Sequence, residues 1–120
     1  MKIGIVGSRN FNQYSLVKEV MDDYIDEVDT VVSGGAKGAD TLGELWANEN
    51  DKATLIFKPD WEKYGKRAGF IRNQDIVKNS DLVLAFWDGQ SKGTKSSIDL
   101  CKKFGIPFKV IYYNGFKSNS

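Results

Sequence analysis

The run Ser33-Gly34-Gly35-Ala36-Lys37-Gly38-Ala39-Asp40 has the composition of an anion-binding loop. It follows the β-branched stretch Thr30-Val31-Val32 and leads into an amphipathic segment. Glycines at such a place let the main chain approach a ligand closely, and the first turn of the following helix offers N–H groups without partners. Two further loops share this character. Gly7-Ser8-Arg9 supplies a hydroxyl, backbone donors and a guanidinium able to grip a phosphate through two nitrogens. Gly93-Thr94-Lys95-Ser96-Ser97 opens a helix, with Thr94 as a good N-cap and Gly93 allowing close approach. Capping alone explains Thr94; a lysine and two serines in the same first turn suit an oxyanion better than they suit helix propensity. Three such loops on one sheet edge would form a nucleotide or sugar-phosphate pocket.

Known phosphate motifs fit only in part. Gly34-Gly35-x-x-Gly38 resembles a fragment of the dinucleotide fingerprint, but it follows the second strand, and Ser33 stands where an acidic residue would hold a ribose. A nicotinamide dehydrogenase of the usual type is therefore disfavoured, and no Walker A sequence occurs. Asp40 could hold a ligand hydroxyl or simply favour the positive end of its helix. Between Lys58 and Lys78 the chain is locally basic, with Trp61 and Tyr64 interleaved among Lys63, Lys66, Arg67 and Arg72. Such a segment could be a stacking wall with a phosphate clamp, a partner surface, or a solvated helix face. Arg72-Asn73 precedes Ile76 and Val77, which should pack on the sheet. Trp87, at a strand end, could stack on a base or belong to the core.

Composition bounds the classes open to the chain. At 120 residues it is one domain with one real core, 41% apolar and 28% charged. The formal net charge of +1 gives no global footprint for nucleic acid or membranes. There is no histidine, which removes His-based triads and His metal sites. No metal site is expected, although a nucleotide ligand could bring Mg²⁺. The lone Cys101 allows no intramolecular disulfide and fits a reducing compartment. The N-terminus runs straight into Lys2-Ile3-Gly4-Ile5-Val6, with no signal-peptide or membrane-spanning pattern, so a cytoplasmic location without membrane partners is expected.

The elements that must position these loops alternate. Ile3 to Val6, Thr30 to Val32, Ala53 to Phe57, Leu82 to Trp87 and Phe108 to Tyr112 read as strands. Val17, Val20, Met21, Tyr24, Ile25 and Val28 have the spacing of one amphipathic helix. A second helix carries Leu42, Leu45 and Trp46 on one face, a third covers Lys66 to Lys78, and a fourth starts near Thr94 and ends at Gly105-Ile106-Pro107. Five strands alternating with four helices predict an α/β, Rossmann-like three-layer sandwich with a parallel five-stranded sheet of order 3-2-1-4-5. In that order the switch point lies between strands one and four, and ligands bind outside the carboxyl ends of the strands.

Together these residues resemble the SLOG superfamily, which unites DNA-processing protein A with the Lonely Guy phosphoribohydrolases, and within it the small YspA-like branch. The resemblance runs over about residues 2–112. It is carried by Gly4-Ile5-Val6-Gly7-Ser8-Arg9, Ser33 to Asp40, Tyr64-Gly65-Lys66-Arg67-Ala68-Gly69-Phe70-Ile71-Arg72-Asn73, and Gly93-Thr94. It implies a nucleotide-binding domain over 1–113, followed by a polar tail at 114–120, and often a homodimer. The hydrolases pair an arginine before strand four with a glutamate in P-G-G-x-G-T-x-x-E after it. Arg72 matches the arginine, the only candidate catalytic residue. At the glutamate position stands Ser97, which cannot supply a carboxylate.

The expected function is thus binding, as sensor or sequestering protein, of a nucleotide or an ADP-ribose-like ligand. Gly7, Ser8, Arg9, Ser33, Gly34, Gly35, Ala36, Gly38, Asp40, Arg67, Arg72, Asn73, Gly93, Thr94 and Lys95 would hold it, with Trp61 or Trp87 stacking on the base. One alternative is an N-glycosidic hydrolase using Arg72 with Asp40, Asp88 or Asp99; another is a single-stranded DNA-binding protein. Arg72→Ala is expected to weaken ligand binding and leave the fold intact.

Overall fold

The computed structural model describes residues 1–113; the expected tail at 114–120 lies outside the described residues. Five strands, β1 (Lys2–Gly7), β2 (Thr30–Ser33), β3 (Ala53–Ile56), β4 (Leu82–Trp87) and β5 (Phe108–Tyr112), form one parallel sheet of order β3-β2-β1-β4-β5. The central strands β1 and β4 are apolar runs buried on both faces, as a covered parallel sheet requires. β1 meets β4 from Ile3↔Leu82 to Gly7↔Phe86, so the loops beginning at Ser8 and Asp88 leave the sheet side by side.

Helices cover both faces. α1 (Tyr14–Asp22) and α2 (Ala39–Glu49) pack on Ile3, Ile5, Val31, Leu84 and Phe86 through Val17, Met21, Trp46 and Ala47. α4 (Ala68–Lys78) and α5 (Lys92–Phe104) cover Val6, Val32, Val83 and Ala85 with Ile76, Val77, Ile98 and Leu100. Cys101 is buried in this second cluster, and burial pushes its thiol pKa up to about 11. No helix among the described residues is long and apolar enough to cross a membrane.

Four local expectations need correction. The first helix stops at Asp22, and the chain reaches Val28 through turns closed by Ile25 N–H to Asp22 O and Glu27 N–H to Tyr24 O. Asp22, Asp23, Asp26 and Glu27 would crowd acidic charge at the negative end of a longer helix. On α2, Leu45 is exposed, whereas Gly43 and Ala47 share the buried face with Trp46. The expected third helix begins at Ala68, after a short α3 (Trp61–Tyr64) and a 3-10 turn (Gly65–Arg67); Asp60 caps α3 by accepting from Lys63 N–H at 3.1 Å. Finally, α5 starts at Lys92 because Ser91 is its N-cap, with Oγ accepting from Thr94 N–H at 3.4 Å.

The loop before α2 is held directly against the loop after β1. Gly38 has φ +84°, and a Cβ on it would collide with the Ser8 carbonyl oxygen and lie 2.7 Å from that of Arg9. A Gly93 Cβ would meet nothing within 4 Å. Gly38→Ala should cost roughly 2–3 kcal/mol through strain and backbone displacement, while Gly93→Ala should change stability by less than about 1 kcal/mol. Denaturant unfolding of the two variants checks this contrast.

Candidate functional site

The loop after β2 is organised around one residue, Gly34, whose two flanking peptide groups are each held by a charged side chain. Gly34 N–H donates to Asp40 Oδ2 at 3.0 Å, and Gly34 O accepts from Arg72 Nη1 at 2.8 Å. Ala36 N–H also donates to Asp40 Oδ2, at 3.4 Å. A side chain at Gly34 would place its Cβ 2.5 Å from Arg72 Nη1 and 2.9 Å from Asp40 Oδ2, so only glycine lets both charged groups close on this residue. Asp40 is 6% exposed. Burial pushes its pKa up to about 6, against the opposing pull of Ala36 N–H, the Arg72 charge and Gly34 N–H. Burial also lowers the Arg72 pKa, opposed by Asp40; the Arg9 charge adds to the lowering. Arg72 Nε is held by Asn73 Oδ1 at 3.0 Å.

On the other side, β1 and β4 deliver Ser8 and Asp88. Asp88 Oδ1 accepts from Gln90 N–H and Ser91 N–H, each at 2.8 Å, and these bonds hold its pKa below the usual carboxylate value. Ser91 then caps α5, which brings Gly93, Thr94 and Ser97 along one edge of that helix to the same opening.

Between these two assemblies lies a cavity of about 480 Å³. Gly7, Ser8, Arg9, Ala36, Asp40, Arg72, Asn73, Gly93 and Thr94 from the expected set line it. Asn10, Asp88, Ser91 and Ser97 complete its polar wall, and Val6 and Ile76 form its apolar floor. Ser97, where the resemblance implies a glutamate, is thus buried in the cavity wall and offers only a hydroxyl. Asn10 could be anticipated only as the neighbour of Arg9, whereas Ser91 carried a readable cue as a serine three residues before Thr94.

The other expected contacts lie elsewhere. Ser33 turns inward: its Oγ donates to Glu44 at 2.7 Å and accepts from Gly35 N–H at 3.1 Å, so it braces the loop. Gly34, Gly35 and Gly38 shape the loop without lining the cavity. Trp61 is 55% exposed beside Gly69, and Arg67 is exposed in the 3-10 turn; both precede the buried part of α4 and miss the opening. Trp87 is held sideways by its Nε1 bond to Ser91 O at 3.0 Å and by Tyr112, 5.8 Å away between ring centres. Lys95 points outward to Asp99, 3.0 Å away, because α5 turns both onto its exposed face; this also removes Asp99 as a partner for Arg72. Arg72 itself clamps Gly34 beside a buried carboxylate, so Arg72→Ala would disturb the fold, contrary to the expectation.

A Rossmann-like sheet with this loop cluster defines the class, and comparison with known proteins agrees. Residues 1–64 match the sequence profile of the YspA, cpYpsA-related SLOG family, and the chain belongs to that family. The Gene 61 protein of Mycobacterium phage D29 is 35% identical over 115 residues, spanning 88% of this chain and 92% of that protein. Among solved structures, DNA processing protein A from Streptococcus pneumoniae superposes with a TM-score of 0.79 at 21% identity, over 97% of this chain. The corresponding protein from Helicobacter pylori gives 0.73 at 18% identity, over 99% of this chain and 68% of that one. This chain spans about half (52%) of the S. pneumoniae protein.

The Asp40 shift makes a signed prediction. Its folded-state pKa of about 6 lies above the ordinary 3.8, so the folded chain binds the proton more tightly than the unfolded chain. Wild type should therefore lose stability, relative to Asp40→Asn, as pH rises from about 4 to 6, by on the order of 2–3 kcal/mol. An Asn oxygen can still accept from Gly34 and Ala36 N–H. Unfolding curves of both proteins between pH 4 and 7 measure the difference.

Proposed function

We propose that this cavity binds a nucleotide or nucleotide-derived ligand, such as an ADP-ribose-like molecule, and that the protein senses or sequesters it. The supporting observation is convergence: Arg72, the nearby charge of Arg9, and the first turns of α2 and α5 all address one cavity outside the carboxyl ends of β1, β2 and β4. Arginines favour phosphate oxygens, and the polar side chains at the two helix starts, Asp40 and Thr94, suit the hydroxyls of a ligand. The volume suits one nucleotide-sized ligand. Hydrolysis is the lesser reading because Ser97 replaces a carboxylate. Asp40, with its raised pKa beside Arg72, is the group that turnover would call on.

Equilibrium dialysis against AMP, ADP, ADP-ribose, NAD and cyclic nucleotides, with both compartments read by mass spectrometry, tests the reading. A ligand retained unchanged is expected; a released base with a ribose phosphate would make the protein a hydrolase. Arg9→Ala, an exposed position, should weaken retention about tenfold without shifting the melting temperature.

A separate surface favours single-stranded DNA as a second ligand class. The net charge of +1 conceals opposed layers: α1, its following turns and α2 carry Glu19, Asp22, Asp23, Asp26, Glu27, Glu44 and Glu49 against Lys18, whereas α3, the 3-10 turn, α4 and α5 carry Lys63, Lys66, Arg67, Lys78, Lys92, Lys95, Lys102 and Lys103 against Glu62, Asp75 and Asp99. Trp61, Tyr64 and Phe70 stand exposed on the basic side. Aromatic faces among cations are how sequence-tolerant strand binding is built. The H. pylori relative of this fold was solved for its single-stranded DNA binding mode. On this reading oligo-dT quenches tryptophan fluorescence, and Trp61→Ala removes most of the quenching. Binding should also weaken steeply with salt.

A further inference from the structure

The cavity is polarised. Over β2 and α4 it presents the Arg72 guanidinium, with the Asp40 carboxylate beside it and the Arg9 charge nearby. Over β1 and β4 it presents acceptors: Asp88, the Asn10 side-chain oxygen and the Ser8 hydroxyl. The Tyr113 hydroxyl donates to Asn10 Oδ1 at 3.4 Å.

Ser8 is the unexplained group at that end. It is 4% exposed, and its Oγ is buried with no hydrogen-bond partner among the described residues. The hydroxyl lies close enough to Asp88 and Tyr113 to influence their ionisation, yet forms no well-shaped bond with either. A buried hydroxyl left unpaired costs about 1–3 kcal/mol, so its retention at a cavity wall points to a ligand that pairs it. On Asp88, Oδ1 is taken by two backbone donors, and Oδ2 remains for a further O–H. Asp40 is offset by the Arg72 charge, but among the described residues Asp88 has only backbone donors and Ser8 acting on it, so a phosphate would be repelled here whereas a neutral hydroxyl would be welcomed.

We propose that Ser8 and Asp88 recognise the vicinal hydroxyls of a ribose, so that the cavity takes ribonucleotides and discriminates against their 2′-deoxy counterparts. This rests on the nucleotide reading of the same cavity. Phosphate lies toward Arg72 and the sugar toward β4. A 2′-deoxy ligand would leave the buried polar groups of this end incompletely paired, the kind of mismatch on which strong discrimination is built.

The test is calorimetric titration of wild type, Ser8→Ala and Asp88→Asn with the pairs AMP/2′-dAMP and ADP/2′-dADP. Wild type should bind the ribo member of a pair at least about tenfold more tightly. Both variants should lose affinity for the ribo member and bring the pair to within about twofold. Ser8→Ala removes an unpaired hydroxyl, so its melting temperature should equal or exceed that of wild type; in Asp88→Asn the amide oxygen can keep the bonds to Gln90 and Ser91 N–H. Equal wild-type binding of ribo and deoxy members, or discrimination that survives in both variants, overturns the proposal while sparing the nucleotide reading. Absence of binding by all four nucleotides overturns this proposal, and if the wider dialysis panel is also empty the nucleotide reading falls too.

Discussion

Gly34, held by a buried carboxylate on its N–H and a half-buried guanidinium on its carbonyl, is the constraint on which the site depends. Neither charge would be stable alone in that position. Asp40 loses hydration and recovers part of the loss from two backbone donors and the field of Arg72. Arg72 gains a carbonyl acceptor and the field of Asp40. Both need Gly34 to lack a side chain. The arrangement ties α4, the loop after β2 and the start of α2 into one unit, which forms one wall of the cavity.

The opposite wall is built by different means. Ser8 and Asp88 leave adjacent strands at matched register, and Asp88 organises the turn that lets Ser91 cap α5. Contact between Gly38 and the carbonyls of Ser8 and Arg9 locks the two walls together. Close backbone approach at Gly34 and Gly38 thus sets the frame in which the polar side chains of the cavity stand. Such a site can present guanidinium groups to an anion at one end and carboxylate oxygen to hydroxyls at the other.

Much of this was legible in the chain. Alternating apolar runs and glycine-bearing loops foretold the sheet order, and the bounds of β4 and β5 are as read: β4 is a buried, continuous apolar segment, and β5 is an edge strand that starts after Gly105-Ile106-Pro107. Boundaries failed where charge overrode periodicity: Tyr24 and Val28 still pack against the first core cluster, but they do so from turns, since acidic residues end α1 at Asp22. The capping role passed from Thr94 to Ser91 because only the fold shows which hydroxyl faces the free N–H groups. The site was legible as three loops but not as a geometry. Nothing local in the sequence places Arg72 on the Gly34 carbonyl, turns Ser33 toward Glu44, or directs Lys95 away to Asp99. Opposed charge on the two helical layers was likewise invisible in a net charge of +1.

The central claim is that ligand binding occurs at the cavity between the Gly34 clamp and the Ser8–Asp88 wall. Two-dimensional ¹H–¹⁵N spectra recorded during titration with ADP-ribose test it most directly, with the Arg72 Nε resonance followed alongside the backbone. The account predicts saturable shifts at the amides of Ser8, Ala36, Asp40, Gly93 and Thr94 and at Arg72 Nε. Shifts confined to Trp61–Phe70, or an unchanged spectrum at millimolar ligand, would contradict it.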